Sequence, residues 1–314
     1  MTIRHALVLT AGLGTRLRPL TDVRAKPAIP VAGVPMIRRI TGWLVSQGVD
    51  DLVLNLHRRP ETLTAVLGDG RDLGARVRYS WEVPRILGSA GGPRLARSLI
   101  DSATFLIVNG DTLTDVDLEG LADTHAASGA LVTLALVPNR EFLRYGGVQV
   151  DAQGRVTGFV RRGPMAEGSH HFIGVQMVDG RVFDAVESGA AASTIGGIYD
   201  ALIQSQPDRV RAFVSEAAFS DVGTPGDYWR TSQALAAAER NSGANAGRGT
   251  RINASARLTR SILWDDVEVE AGVELDECIV TDGVRVSPGA THRREILIQG
   301  EDGGTRVTPL NLEP

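Results

Sequence analysis

"HALVLTAGLGTRLRPLT", residues 5–21, sets a short apolar run against a glycine-rich turn that carries two arginines. The run ends at Ala11-Gly12 and reads as one buried strand. It is too brief for the apolar core of a signal peptide or for a membrane span. A glycine-rich turn directly after a first strand suits phosphate, because glycine lets backbone N–H groups close on anionic oxygens. The residues after the turn decide among the phosphate motifs. A P-loop needs Lys-Ser/Thr straight after its second glycine, whereas Gly14 is followed by Thr15-Arg16. The dinucleotide fingerprint needs a third glycine at the helix start. Leu17 stands there, with Pro19 close behind to break a helix. What remains is a long loop from Gly12 to about Pro30 carrying Arg16, Arg18 and Lys26. Arg16 offers a planar, bidentate donor and Lys26 a mobile point charge.

Outward from this turn, strand-like and helix-like segments alternate. "MIRRITGWLVSQGV" (36–49) spaces Ile37, Ile40, Leu44 and Val45 as a helix does and stops at Gly48. "DLVLNL" (51–56) reads as a strand, 60–70 as a helix, 75–82 as a strand, 91–100 as a helix and "TFLIVNGD" (104–111) as a strand. The order βαβαβαβ predicts an α/β fold with a Rossmann-like, mainly parallel sheet and helices on both faces. Ligands of such sheets sit beyond the carboxyl ends of the strands, so Gly12–Arg16 and Gly110-Asp111 should face one cleft. Residues 130–180 are richer in strands and predict the far wall of that cleft. Residues 228–240 predict a helix.

The composition then changes. "NSGANAGRG" (241–249) reads as a linker. Beyond it Val267, Val273 and Ile279 fall six apart, as do Leu263, Val269 and Leu275, with glycines between them. A six-residue apolar period predicts a hexapeptide β-helix, although Ile279 to Val284 is a step of five. So short a coil needs the main domain or another subunit to cap it, which points to association into a homo-oligomer. The expected organisation is 1–240 as the main domain, with its wall at about 130–215, then the 241–249 linker and a β domain over 250–314.

The 314 residues carry 33 Lys+Arg against 37 Asp+Glu, for a net charge of −4, and no basic tract. Nucleic acid is therefore not the expected partner, nor is a membrane. One cysteine, Cys278, rules out an intrachain disulfide and fits a reducing, cytoplasmic setting. The adjacent His170-His171 pair should point to opposite faces of a strand, one buried and one exposed.

"LVLTAGLGTRLRPLTDVRAKPAIPVAGVPMI" resembles the signature of the sugar-1-phosphate nucleotidylyltransferases: Gly-x-Gly-Thr-Arg-x-x-Pro-x-Thr, then Lys-Pro, then Pro-Val-x-Gly-x-Pro-Met/Leu-Ile. The resemblance runs over residues 1–240 and implies the nucleotide-diphospho-sugar transferase fold. A short left-handed β-helix-like tail is similar to that of mannose-1-phosphate guanylyltransferases. The implied reaction joins an NTP and a sugar-1-phosphate into an NDP-sugar with release of pyrophosphate. Thr10, Ala11, Gly12, Gly14, Thr15 and Arg16, with Glu82, Gly88 and Ser89 of "EVPRILGSAGG", would hold the nucleotide. Arg16 and Lys26 would be catalytic. Tyr145, Gly146, Arg161, Arg162, Phe172 and Gly174 would meet the sugar phosphate. Asp111 of "VNGDTLTD" and Asp221 of "FSDVGTPGDY" would bind Mg²⁺, a cation that prefers oxygen ligands.

The chain departs from the pattern in the sugar region. "GFVRRGP" stands where relatives carry Phe-x-Glu-Lys-Pro, and "HFIGVQM" where they carry Asn-x-Gly. Phe172 two residues before Gly174 resembles the N-acetylmuramate-1-phosphate uridylyltransferases, whereas the tail resembles the guanylyltransferases. Base and sugar therefore stay open at this point. So does an alternative reading, a catalytically silent nucleotide-sugar-binding regulatory subunit on the same fold.

Overall fold

The computed structural model describes residues 3–239, 246–300 and 303–313. Residues 241–245 of the expected linker lie outside the described residues. The chain forms two compact units that do not follow chain order. The first comprises Met1–Gly12, Ile40–Pro60 and Leu67–Ser220; the second comprises Leu13–Arg39, Glu61–Val66 and Asp221–Pro314.

The first unit is a mixed α/β body around one sheet. Its strands are β1 (His5–Leu9), β2 (Asp51–Leu56), β3 (Arg76–Trp81), β4 (Thr104–Asn109), β5 (Val132–Pro138), β6 (Gly147–Val150), β7 (Val156–Val160), β8 (His170–Asp179) and β9 (Val210–Val214). The order is β7-β6-β8-β4-β1-β2-β3, with β5 pairing both β8 and β9. β1 runs parallel to β2 and β4, β2 to β3, and β5 to β9. β8 lies antiparallel to β4 and β5. All six residues of β2 are buried, which explains its apolar Leu52-Val53-Leu54 run, and Asp51 and Asn55 are buried polar residues within it.

Helices cover both faces, as the alternation requires. Leu7, Val53, Ile107 and Leu134 share a buried cluster with Ala90 and Ala96 of the helix Gly88–Ala96 and with Tyr199. Thr133 points the other way and meets His125 of the helix Leu118–Ser128 at 2.9 Å. The chain leaves β1 for β2 and β3 on one side and returns to β4 on the other, so the strand order reverses beside β1. That is where open α/β sheets bind ligands. Leu9 pairs with Asn109, and the Gly110 N–H donates to the Leu9 carbonyl at 2.9 Å. The two strand ends expected to share a cleft therefore stop side by side.

In the second unit, the stretch expected as a loop to Pro30 folds into short helical turns at Thr15–Leu17, Leu20–Val23 and Lys26–Ala28. Proline is compatible with such first-turn positions, where its missing N–H costs nothing. Pro27 occupies one.

After residue 246 the strands are parallel and very short. Arg251–Ile252 pairs with Glu268–Val269 and then Arg285–Val286. Arg257–Thr259 pairs with Glu274–Asp276 and then Thr291–Arg293. Ile262–Leu263 pairs with Ile279–Val280 and then Ile296-Leu297. Each step along these three faces is 17 residues, and the Cys278 N–H spans the same interval to reach Ser261 Oγ. Buried Val267, Val273, Cys278 and Val284 follow at steps of six, five and six. The short side of this three-sided coil is therefore Val273 to Cys278, not Ile279 to Val284 as the sequence suggested, because Cys278 and not Ile279 continues the Val267–Val273 series in the coil core. The coil ends in an antiparallel hairpin, Glu295–Gln299 with Thr305–Pro309.

Candidate active site

In the first unit the carboxyl ends of three strands are tied together by one buried chain of hydrogen bonds. The Thr10 N–H donates to Asn55 Oδ1 at 2.7 Å, and Asn55 Nδ2 donates to Glu82 Oε1 at 2.7 Å. Glu82 Oε2 accepts from the Leu87 N–H at 2.6 Å. Glu82 is fully buried. Its carboxylate fixes the turn that precedes Gly88. A Cβ on Gly92 would lie 2.4 Å from Glu82 Oε1, so the second glycine of "AGG" is required by this chain of bonds.

Gly88 has φ +76°, and a Cβ there would meet the Ala192 carbonyl at 2.7 Å. Ser89 Oγ accepts from the Thr194 N–H at 2.9 Å, and the Ala90 N–H donates to the Ala192 carbonyl at 2.9 Å. Residues 192–194 thus frame the Gly88-Ser89 turn. Sequence reasoning missed them because nothing local marks a partner more than a hundred residues away.

Thr10 and Ala11 are buried, Gly12 is exposed, and Asp111 is half-buried in the turn between β4 and the short strand Thr112–Thr114. Gly174 lies opposite that turn's root. Its φ is +78°, and a Cβ would sit 2.7 Å from Asn109 Nδ2. The β8–β5 register breaks between Phe172 and Gln176, the irregularity that admits this contact. Tyr145 stacks on His171 with ring centroids 4.2 Å apart, and Phe219 closes the trio at 5.7 and 5.0 Å. A cavity of about 310 Å³ opens beside them, lined also by Asn139, Arg140 and Glu141. Both histidines are half-buried, not one buried and one exposed. Burial pushes the His171 pKa down, since this side chain stacks in the trio. Gly146, Arg161 and Arg162 are exposed, and Phe172 is half-buried.

In the second unit Gly14 takes φ +61°, and its carbonyl accepts from Thr21 Oγ1 at 2.9 Å. Thr15 and Arg16 are exposed, opening the helical turn Thr15–Leu17. Lys26 Nζ stands 3.9 Å from Asp221 Oδ1, with both side chains largely buried. A Cβ on Gly223 would lie 3.3 Å from Asp221 Oδ2 and 3.5 Å from Arg16 Nη1. The bare backbone of Gly223 therefore leaves room where Arg16, Lys26 and Asp221 converge. Thr224 caps the helix Pro225–Ala238 by a reciprocal box with Asp227, which fixes the direction of the chain leaving Asp221.

Asp111 and Asp221 supply carboxylate oxygens, the donor type of a hard divalent cation. Among the described residues no cluster of three or more His, Cys, Asp or Glu is placed to hold a metal on protein ligands alone. No helix among them is long and apolar enough to cross a membrane.

The sequence profile of the nucleotidyl transferase family matches residues 5–238. The chain is 30% identical over 298 residues to a mannose-1-phosphate guanylyltransferase of Mycobacterium tuberculosis, covering 92% of this chain and 83% of that protein. It is 31% identical over 231 residues to a D-glycero-α-D-manno-heptose 1-phosphate guanylyltransferase of Aneurinibacillus thermoaerophilus, covering 74% of this chain and 98% of that one. A UTP–glucose-1-phosphate uridylyltransferase of Synechocystis is 27% identical, covering 90% and 76%. Among solved structures, HddC from Yersinia pseudotuberculosis superposes with a TM-score of 0.65 at 23% identity, covering 74% of this chain and all of that one. At that identity the likeness speaks to the fold.

Proposed function

The chain belongs to the nucleotidyl transferase family and is a sugar-1-phosphate nucleotidylyltransferase; from that premise we propose how its residues divide the work. The reaction takes an NTP and a sugar-1-phosphate to an NDP-sugar and pyrophosphate. A sugar phosphate oxygen attacks the α-phosphorus as the bond to the β-phosphate's bridging oxygen breaks. No base is required, because a phosphate monoester has a second pKa near ~6 and is already ionised at neutral pH.

Two polyanions must be brought together, so the protein's task is positioning and charge compensation. In this reading Arg16 holds the β- and γ-phosphates and stabilises the leaving pyrophosphate. Lys26 offsets charge at the α-phosphate in the transition state. The Gly12–Thr15 turn gives backbone N–H groups to the phosphates, and the Glu82-supported turn at Gly88-Ser89 takes the base. Tyr145, Gly146, Phe172 and Gly174 line the sugar side, with Arg161 or Arg162 on its phosphate. Asp111 and Asp221 would hold Mg²⁺. When bound, the ion would polarise the α-phosphate and align both reactants. Catalysis is assigned to residues 1–240, and the β-helix-like coil to 250–314.

The observation that carries this reading is the convergence of Arg16, Lys26 and Asp221 around Gly223. A silent regulatory subunit would have no need of it. The test is pyrophosphate release from four NTPs against glucose-, mannose-, N-acetylglucosamine- and N-acetylmuramic acid-1-phosphate with Mg²⁺. Turnover of one pair above the rest is expected. Background release from every pair, with tight NDP-sugar binding, would leave the regulatory reading.

A further inference from the structure

Two residues before Lys26, Arg24 is buried in an acidic clamp built by the coil. Arg24 Nε donates to Asp282 Oδ2 at 2.6 Å, and Nη2 donates to Asp282 Oδ1 at 2.6 Å and to Asp265 Oδ2 at 2.8 Å. Asp265 and Asp282 are 17 residues apart, so the coil stacks their carboxylates on successive rungs of one face. One guanidinium can then bridge both. The guanidinium also lies over the Trp264 ring, 5.4 Å from its centroid. Burial works against the Arg24 charge, but the two aspartates outweigh it and hold its pKa above the ordinary arginine value.

The same segment is fixed at its other end. Tyr228 Oη donates to the Pro30 carbonyl at 2.8 Å and accepts from Trp264 Nε1 at 2.8 Å. The Ala25 N–H donates to Thr62 Oγ1 at 3.0 Å. Lys26 therefore sits on a short span tethered on both sides, and two of the tethers start on Trp264 and its neighbours in the coil.

We infer that Arg24 is a positioning residue, and that the Asp265–Asp282 pair of the coil sets the place of Lys26 in the transferase reaction through it. The inference rests on the role given to Lys26 above. A misplaced reacting group costs rate out of proportion to the distance moved, so the clamp should act on kcat and leave ground-state binding alone.

The test is the double variant Asp265→Asn/Asp282→Asn in the full chain. Asparagine keeps the Oδ1 acceptors that serve the Arg248 and Asp265 N–H groups, while removing both charges. The expected result is a kcat about ten- to a hundredfold lower, with KM for both substrates within about twofold. In a Lys26→Ala background the same pair of changes should cost less than about twofold further, because the clamp acts through that residue. Equal losses in both backgrounds, or an unchanged kcat with Lys26 present, would overturn the inference. Arg24→Lys, which lies outside the coil and cannot bridge both carboxylates, should reproduce the kcat loss if the double variant fails to fold. Hydrogen exchange supplies a readout without turnover. The amides of residues 24–26, 28 and 29 should lose protection in the double variant, and unchanged protection there also overturns the clamp. Failure of the functional reading looks different: wild-type protein would release no pyrophosphate with any substrate pair, whatever the exchange data show.

Discussion

Lys26 Nζ stands 3.9 Å from Asp221 Oδ1, at the limit of an ion pair and beyond a hydrogen bond. Asp221→Asn and Asp111→Asn are each expected to lower kcat by ~10²-fold or more. Far-UV circular dichroism and the urea midpoint should stay at wild-type values. Chelation of divalent cations should abolish pyrophosphate release, and added Mg²⁺ should restore it. Turnover that survives both substitutions would contradict the metal role.

Lys26→Ala should lower kcat and kcat/KM by similar factors, the mark of an interaction made only in the transition state. A rise in KM at constant kcat would show that Lys26 binds substrate uniformly. Steady-state kinetics with each substrate varied in turn separates the two.

Gly174→Ala tests the contact between β8 and the root of the Asp111 turn. The methyl would fall within 3 Å of the Asn109 side chain, on a backbone with φ +78°. A left-handed non-glycine residue costs roughly 1–2 kcal/mol, and overpacking a further ~1–3 kcal/mol. Urea unfolding should show a loss of roughly 2–5 kcal/mol, with an unchanged m-value.

His125 gives a pH dependence of stability. It is buried against Thr133, and that burial holds its pKa below the ordinary histidine value. The unfolded chain then takes up a proton at a higher pH than the folded chain does. Stability is complete above the unfolded pKa of about 6.5 and declines as pH falls from there toward the folded pKa. Urea midpoints of wild type and His125→Gln, compared at pH 7.5 and 5.5, should show the wild type losing more. Parallel losses would remove His125 as the cause.

Much of this was legible locally. The apolar runs of β1, β2 and β4 announce buried parallel strands because each side chain in them meets a covered face. The six-residue period announces the coil because its side chains point inward from one wall after the next. Of the candidate site, residue type alone singled out Arg16, Lys26 and Asp221, which the fold brings together around Gly223. The rest lay in distance along the chain. Arg24 reads as one more loop cation, and only the fold shows that its partners stand 241 and 258 residues away. Glu82 reads as a polar residue facing a ligand, and the fold instead buries it beneath the turn at Gly88. The short helical turns between Gly14 and Ala28 were hidden because prolines that break a long helix also begin short ones.

The 17-residue coil makes chain length in the tail a quantised variable. Deleting one residue between Asp265 and Asp282 would rotate the second carboxylate toward a neighbouring wall and leave Arg24 with a single acid. Inserting a whole coil between them would restore the facing but put the two acids two rungs apart. Indels that add or remove complete coils beyond Asp282 leave the pair intact. The tail can therefore be lengthened from its far end in whole steps, while the two rungs that carry the acids are fixed by what they hold.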